Sequence, residues 1–217
     1  MTRRLLLVRH ASTEAVRSAA FGSDEPLDSR GREAAGRLRL PRVDEVLVSP
    51  ALRARETASC AGLVPTGEAP AECDFGRWAG LSLREVAERE PDAVREWMTD
   101  PDAAPHGGES LTQLLARVAD WLGAQATLSG SAVAITHGGV VKACVVTALA
   151  SPPSAFWKID VAPLAVTELH AHDGRWTVTR VNATAVGHGD LGERQQVKGA
   201  GAISPDQVRS PRGAERS

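Results

Sequence analysis

Two arginines and two histidines occupy matching places in the sequence, each just behind a short apolar run. Arg9-His10 follows Leu5-Leu6-Leu7-Val8, Arg53 follows Val43 to Val48 through Ser49-Pro50, and His137-Gly138-Gly139 follows Ala132 to Thr136. Gathered in one place, such groups repel one another when empty and become favourable around a dianion such as phosphate. The two glycines after His137 let the backbone approach closely, and a helix opening at Pro50 adds further N–H donors for an anion. These residue types predict a phosphate pocket, provided that the fold brings the three segments together.

The elements around them predict that it does. Arg3 to Arg9, Val43 to Val48 and Ala132 to Thr136 read as short strands buried on both faces of a parallel sheet. A helix capped by Asp28 or Ser29 runs to about Leu40 with Ala34, Ala35 and Leu38 on one face. Ser49 and Pro50 read as the cap and first residue of a helix reaching about Gly62, and an apolar helix runs from Gly138 to about Ala150. Between about residues 72 and 128 the chain is expected to be helical, with capping boxes at Ser82-x-x-Glu85 and Ser110-x-x-Gln113 and an apolar stripe of Leu111, Leu114, Leu115, Val118 and Leu122. Leu164 to His170 and Trp176 to Val181 form a hairpin about Asp173-Gly174. The expected fold is α/β: a doubly wound, mostly parallel sheet with helices on both faces, an antiparallel edge, and a site along its carboxyl edge. Residues 1–186 read as the catalytic domain, and residues 187–217, rich in Gly, Ser and charge, as a disordered tail.

Composition narrows the function classes. The chain has 217 residues, 42% of them hydrophobic, which is ample for an unaided core. Its 25 Lys+Arg against 27 Asp+Glu give a net charge of −2, so no overall field recruits nucleic acid or an anionic membrane. Cys60, Cys73 and Cys144 are odd in number and lack Cys-x-x-Cys spacing, which argues against a disulfide framework or a zinc knuckle. With no apolar run long enough for a signal peptide or a membrane span, a reducing cytoplasm is the expected compartment. A homodimer is the one oligomeric partner left open.

Leu7-Val8-Arg9-His10-Ala11-Ser12-Thr13 resembles the Arg-His-Gly signature of the histidine phosphatase superfamily, the phosphoglycerate mutase-like fold. Further blocks agree in order and spacing: Val48 to Ala58 with Arg53, Glu72-Cys73-Asp74-Phe75-Gly76-Arg77-Trp78, Gly107-Gly108-Glu109-Ser110, and Thr136-His137-Gly138-Gly139. The likeness spans about residues 3–184 and is nearest the phosphatase branch that resembles α-ribazole phosphatase, through Phe75-Gly76-Arg77-Trp78. The resemblance implies catalysis by His10, Glu72, His137, Arg9 and Arg53. His10 would attack phosphorus to give a phosphohistidine, Glu72 would serve as acid and then base, and Arg9, Arg53 and His137 would hold the phosphoryl oxygens. It implies substrate contacts from Arg9, Arg53, His137, Thr13 and Gly138, a small phosphorylated metabolite as partner, and neither cofactor nor metal.

The chain departs from the family pattern in three places: Ala11 stands for the usual glycine, Val16 for an asparagine that contacts phosphate, and Ala79 for a frequent glutamate. The phosphate contact that Val16 cannot make is then either lost or supplied by another group such as Ser12 or Thr13. Two other functions compete, a phosphoglycerate mutase and a non-catalytic phosphate-binding module. Such mutases resemble Glu-Arg-His-Tyr-Gly at the acid block, and this chain has no tyrosine at all. Outside the site, Trp97, Trp121 and Trp157 are expected in the core or in helix packing and His170 and His172 on the surface. Trp78 is expected in the core or at the substrate mouth, and His106 at the pocket rim or on a loop surface.

Overall fold

The computed structural model describes residues 1–185. In chain order the elements are β1 (Thr2–Arg9), α1 (Glu14–Arg17), α2 (Ser29–Gly36), β2 (Glu45–Val48), α3 (Leu52–Cys60), β3 (Gly67–Glu68), α4 (Leu83–Arg89), α5 (Pro91–Thr99), α6 (Leu111–Ala126), β4 (Gly130–Thr136), α7 (Gly138–Ala148), β5 (Val166–His172) and β6 (Arg175–Ala183). Short 3₁₀ turns lie at Gly76–Trp78 and Pro153–Lys158. One six-stranded sheet has the order β3-β2-β4-β1-β5-β6, parallel from β3 to β1 and antiparallel through β5 and β6. This is the expected mixed α/β sheet with an antiparallel edge.

The unbroken apolar run of β1 is explained by cover on both faces. Leu5 and Leu7 join Val118 and Leu122 of α6 and Val141 and Cys144 of α7 in one core. Leu6 and Val8 point the other way, into a second core with Leu38 and with Ala54 and Ala58 of α3. Each fully buried leucine contributes roughly 1.5–3 kcal/mol. A third cluster, built on Phe21, Trp78, Val86 and Val94, holds α4 and α5 together.

Both capping boxes form, at Ser82/Glu85 and at Ser110/Gln113, and Asp28 caps α2 through Gly31 N–H. Asp173 and Gly174, at φ 49° and 78°, make the hairpin turn between β5 and β6. Two local expectations are corrected. The helix α2 stops at Gly36, where the Arg39 guanidinium takes the Gly36 and Leu38 carbonyls that a longer helix would have used. Ser49 and Pro50 do not open α3, whose cap is Ala51. The short α1 and the two-residue β3 carry no apolar period, so they were not legible in the sequence. The tail read at 187–217, with His188, lies outside the described residues.

The helix α2 also braces the loop that follows β1. Asp28 N–H donates to the Ser12 carbonyl at 3.1 Å and Ser12 Oγ donates to Asp28 at 2.9 Å. Gly31 lies so close that a Cβ there would strike the Ser12 carbonyl. Gly31→Ala is therefore expected to lower stability by about 1–3 kcal/mol, measured as the urea midpoint. An unchanged midpoint would mean that the loop yields freely.

Candidate active site

Strand register does the gathering. Val48 pairs with Ile135 and Arg9 with Thr136, so the parallel strands β2, β4 and β1 end at one level. The ladder runs one step further, with His10 N–H donating to the Thr136 carbonyl at 2.8 Å and Ser49 N–H to the Ile135 carbonyl at 3.0 Å. The rings of His10 and His137 then lie 5.3 Å apart, with His10 4% exposed, His137 0% and Arg53 5%. All four expected cationic and imidazole groups converge.

Their hydrogen bonds are directional. His10 Nδ1 lies 2.7 Å from the Ala11 carbonyl, so this nitrogen carries the proton, and Nε2 accepts from Arg53 Nε at 3.2 Å. Arg53 Nη1 also donates to the Ser23 carbonyl and lies 3.7 Å from Glu25. Arg9 Nη1 donates to the Val161 carbonyl at 2.6 Å. His137 Nε2 is bonded to Ser49 Oγ at 2.7 Å, which is why the Ser49 hydroxyl caps no helix. Arg9 Nε and His137 Nδ1 are buried and bonded to no other protein group. A cluster built to hold an anion keeps such donors free.

Burial and like charge keep the imidazoles neutral. His10 is drawn down to about 3, first by burial and then by His137 and Arg53, against the opposing pull of the Ala11 carbonyl. His137 is drawn well below its ordinary value by burial, then by Arg53, Arg117 and Arg9. Burial also lowers Arg9, while Glu72 and Asp160 resist. Among the described residues no three His, Cys, Asp or Glu side chains gather as a metal site; the positive charge here comes from guanidinium groups.

Of the three carboxylates in the acid block region, only Glu72 reaches this cluster. Its Oε1 accepts from Cys73 N–H at 3.0 Å and its Oε2 from Gly139 N–H, at the start of α7, at 3.2 Å. Glu68 is exposed on β3, and Asp74 turns back to Gly76 N–H. Arg117 donates to the Glu72 carbonyl at 3.1 Å and grips both oxygens of Glu109 at 2.5 and 2.8 Å. A Cβ on Gly139 would overlap the Glu72 carboxylate, and one on Gly138 would lie 3.4 Å from Arg9 Nε.

Other expectations fare differently. Ala11 is fully buried with Leu27 and Ala35, so its methyl is accommodated. Thr13 Oγ1 donates to Glu25 and accepts from Val16 N–H, each at 3.2 Å, while Ser12 is spent on Asp28. Neither hydroxyl is free to replace the missing asparagine. Trp78 lies in the third core, fully buried. His106 is neither rim nor surface: it is 1% exposed, packs edge-on against Trp78 at 5.0 Å, and accepts from Gly108 N–H. His170 and His172 pair with Glu168 and Asp173 at the surface, as expected. Trp97 and Trp157 pack, half-buried, against the apolar clusters as expected, and they also line a cavity with Arg9 and Glu72. Ser49 and Arg117 were missed, because a Ser-Pro pair reads as a helix cap and an arginine on a helix reads as solvated.

The chain is 33% identical over 199 residues to the Bifunctional protein Rv2228c of Mycobacterium tuberculosis, covering 83% of this chain and 54% of that one. It thus spans about half the length of that relative. It is 32% identical over 176 residues to the Glucosyl-3-phosphoglycerate phosphatase of the same organism, covering 71% and 78%. In fold it resembles the α-ribazole phosphatase of Shigella flexneri, with a TM-score of 0.72 at 23% identity, covering 85% and 98%. The family model of the histidine phosphatase superfamily, branch 1, matches residues 5–184, and the chain belongs to that family.

Proposed function

We propose that residues 1–186 form a metal-independent phosphomonoester hydrolase that acts on a small phosphorylated metabolite through a phosphohistidine intermediate. The observation that carries this reading is the buried, neutral His10, whose Nε2 lone pair faces Arg53 with Nδ1–H tied to the Ala11 carbonyl. The Nε2 lone pair attacks phosphorus and the ester P–O bond breaks. Arg9 Nε, Arg53 and His137 hold the non-bridging oxygens, His137 through Nδ1–H while Ser49 Oγ donates to its Nε2. Glu72 gives its proton to the departing alkoxide. Water then attacks phosphorus, the P–N bond breaks and returns its pair to His10 Nε2, Glu72 takes a proton from the water, and inorganic phosphate leaves.

Relatives named as phosphatases of glucosyl-3-phosphoglycerate and of α-ribazole support the reaction class, and their different names leave the substrate to this chain's own residues. The mutase reading lacks its tyrosine, since the acid block is Glu72-Cys73-Asp74-Phe75-Gly76. A non-catalytic module is disfavoured because Ala11 disturbs nothing and Glu72 is in place. The three cysteines Cys60, Cys73 and Cys144 are free thiols, in keeping with a reducing cytoplasm.

Hydrolysis of an aryl phosphate should persist in the presence of a chelator and fall about 10³-fold or more in His10→Ala. Turnover abolished by the chelator, or unaltered in the variant, would overturn the reading. Gly139→Ala should push the Glu72 carboxylate aside and lower kcat about 10²-fold; an unchanged kcat would exclude Glu72 as the acid.

The neutral imidazoles also set a pH dependence. Unfolded histidine titrates at about 6.5, while His10 in the folded chain is drawn down to about 3. Between those values the unfolded chain binds more protons, so stability rises with pH. The contribution is fully present above about 6.5 and is lost as pH falls toward 3. The urea midpoint of His10→Asn should therefore fall less steeply from pH 7 to pH 4.5 than that of the parent chain, and parallel profiles would show that His10 is not held neutral.

A further inference from the structure

A second cavity adjoins the cluster, and the reaction as proposed leaves it unassigned. It measures about 220 Å³, against about 370 Å³ for the cavity lined by His10 and Arg53, and the two share Arg9, Glu72 and Phe75. His10 lines only the larger one. In-line displacement puts the leaving oxygen on the far side of phosphorus from the attacking nitrogen. The acid meant for that oxygen stands on the shared wall, so the organic part of the ester extends into the smaller chamber. This step rests on the hydrolytic reading above.

The chamber's lining names the chemistry that it accepts. Trp97 and Trp157 meet edge to face at 4.7 Å, Phe156 joins Trp157 at 5.2 Å, and Phe75 stands 6.3 Å from Trp97. Leu111 and Leu114 of α6 complete the apolar wall. Along its aromatic and aliphatic faces such a surface offers the hydroxyls of a bare sugar or glycerate few partners in exchange for lost water, whereas a planar ring gains by burial and by contact with the aromatic edges. Besides the shared Arg9 and Glu72, the charged groups of the lining are Lys142 and Asp160. Lys142 is half-buried, with Nζ 5.2 Å from the centre of the Phe156 ring. Its ammonium makes no hydrogen bond or ion pair among the described residues, unlike Arg3, Arg9, Arg53 and Arg117, the other enclosed cations near the sheet and site. Asp160 Oδ1 accepts from Val161 N–H at 2.9 Å.

We propose that this chamber selects phosphomonoesters whose alcohol carries a planar aromatic or heteroaromatic ring, seated among Phe75, Trp97 and Trp157, with an anionic substituent that reaches Lys142. Lys142 lies one turn beyond Gly138 on α7, so the same helix whose first turn holds Glu72 also presents the cation that orients the leaving group.

Three esters whose leaving alcohols have nearly equal acidity test the proposal: ethyl phosphate, phenethyl phosphate and para-carboxyphenethyl phosphate. The ring should raise kcat/KM by about tenfold or more, and the carboxylate should raise it again. Trp97→Ala should shrink the first step. Lys142→Met should erase the second step while the first remains. Because Trp97 also packs on Phe21 and Trp78, its loss can loosen the fold, and Lys142→Met then carries the test alone. Equal kcat/KM for the three esters, or a carboxylate effect that survives Lys142→Met, would overturn the proposal and leave the hydrolytic reading standing. Turnover of none of them would overturn that reading instead. The chamber would then be judged by tryptophan fluorescence in His10→Ala: quenching by phenethyl phosphate but not by ethyl phosphate supports ring recognition, and equal quenching ends it.

Discussion

Two imidazoles and two guanidinium groups are packed at one sheet edge with little access to water, and the rest of the molecule is arranged to make that tolerable. The rings are 5.3 Å apart and nearly inaccessible, so neither bears a charge at neutral pH, and the guanidinium groups supply the positive potential alone. Backbone carbonyls answer those cations: Val161 takes Arg9 and Ser23 takes Arg53, with Glu25 near Arg53. Arg9 Nε and His137 Nδ1 stay buried without a protein partner, and an anion in the cluster would satisfy them. Charge crowding of this kind is costly when empty and turns favourable with a dianion inside.

The carboxyl group of Glu72 is placed from the other side of the cluster. It lies at the first turn of α7, where Gly139 N–H donates to Oε2 at 3.2 Å and Cys73 N–H to Oε1 at 3.0 Å. Missing side chains at Gly138 and Gly139 make room for Arg9 on one side and Glu72 on the other. Behind Glu72, Arg117 spans its backbone carbonyl and the Glu109 carboxylate, joining the acid block to the start of α6. The short segments 72–78 and 105–110, with little regular structure of their own, are thus fixed by helix side chains and by close backbone contact at Gly76 and Gly108. Around this frame the aromatic residues divide by burial. Trp78 is wholly enclosed and fastens α4 and α5, whereas Trp97 and Trp157 face the chamber beside Glu72.

Much of this was legible in the amino-acid order. The strands showed as unbroken apolar runs because a strand covered on both faces needs no polar alternation, and Leu5 to Val8 is such a run. The positions of His10, Arg53 and His137 at strand ends and helix starts were readable for the same reason, as were both capping boxes and the Asp173-Gly174 turn. Glu72 was readable only through its spacing to Gly76 in the family pattern.

Tertiary structure decided what depends on partners distant in the chain. Ser49 reads locally as a helix cap, yet its hydroxyl meets His137, 88 residues away, because β2 and β4 end at one level. Arg117 reads as a solvated helix residue until the Glu72 carbonyl arrives. Thr13 reads as a phosphate ligand beside His10, yet it caps α1 and pairs with Glu25. Whether a tryptophan fills a core or faces a cavity has no local signature, since its hydrophobicity suits both. Local periodicity records which face of an element is buried; it does not record which neighbours do the burying. By itself the sequence determined the strands, the helix starts and the kind of chemistry at the sheet edge, while packing alone settled which side chains hold those groups in place and which remain open to a ligand.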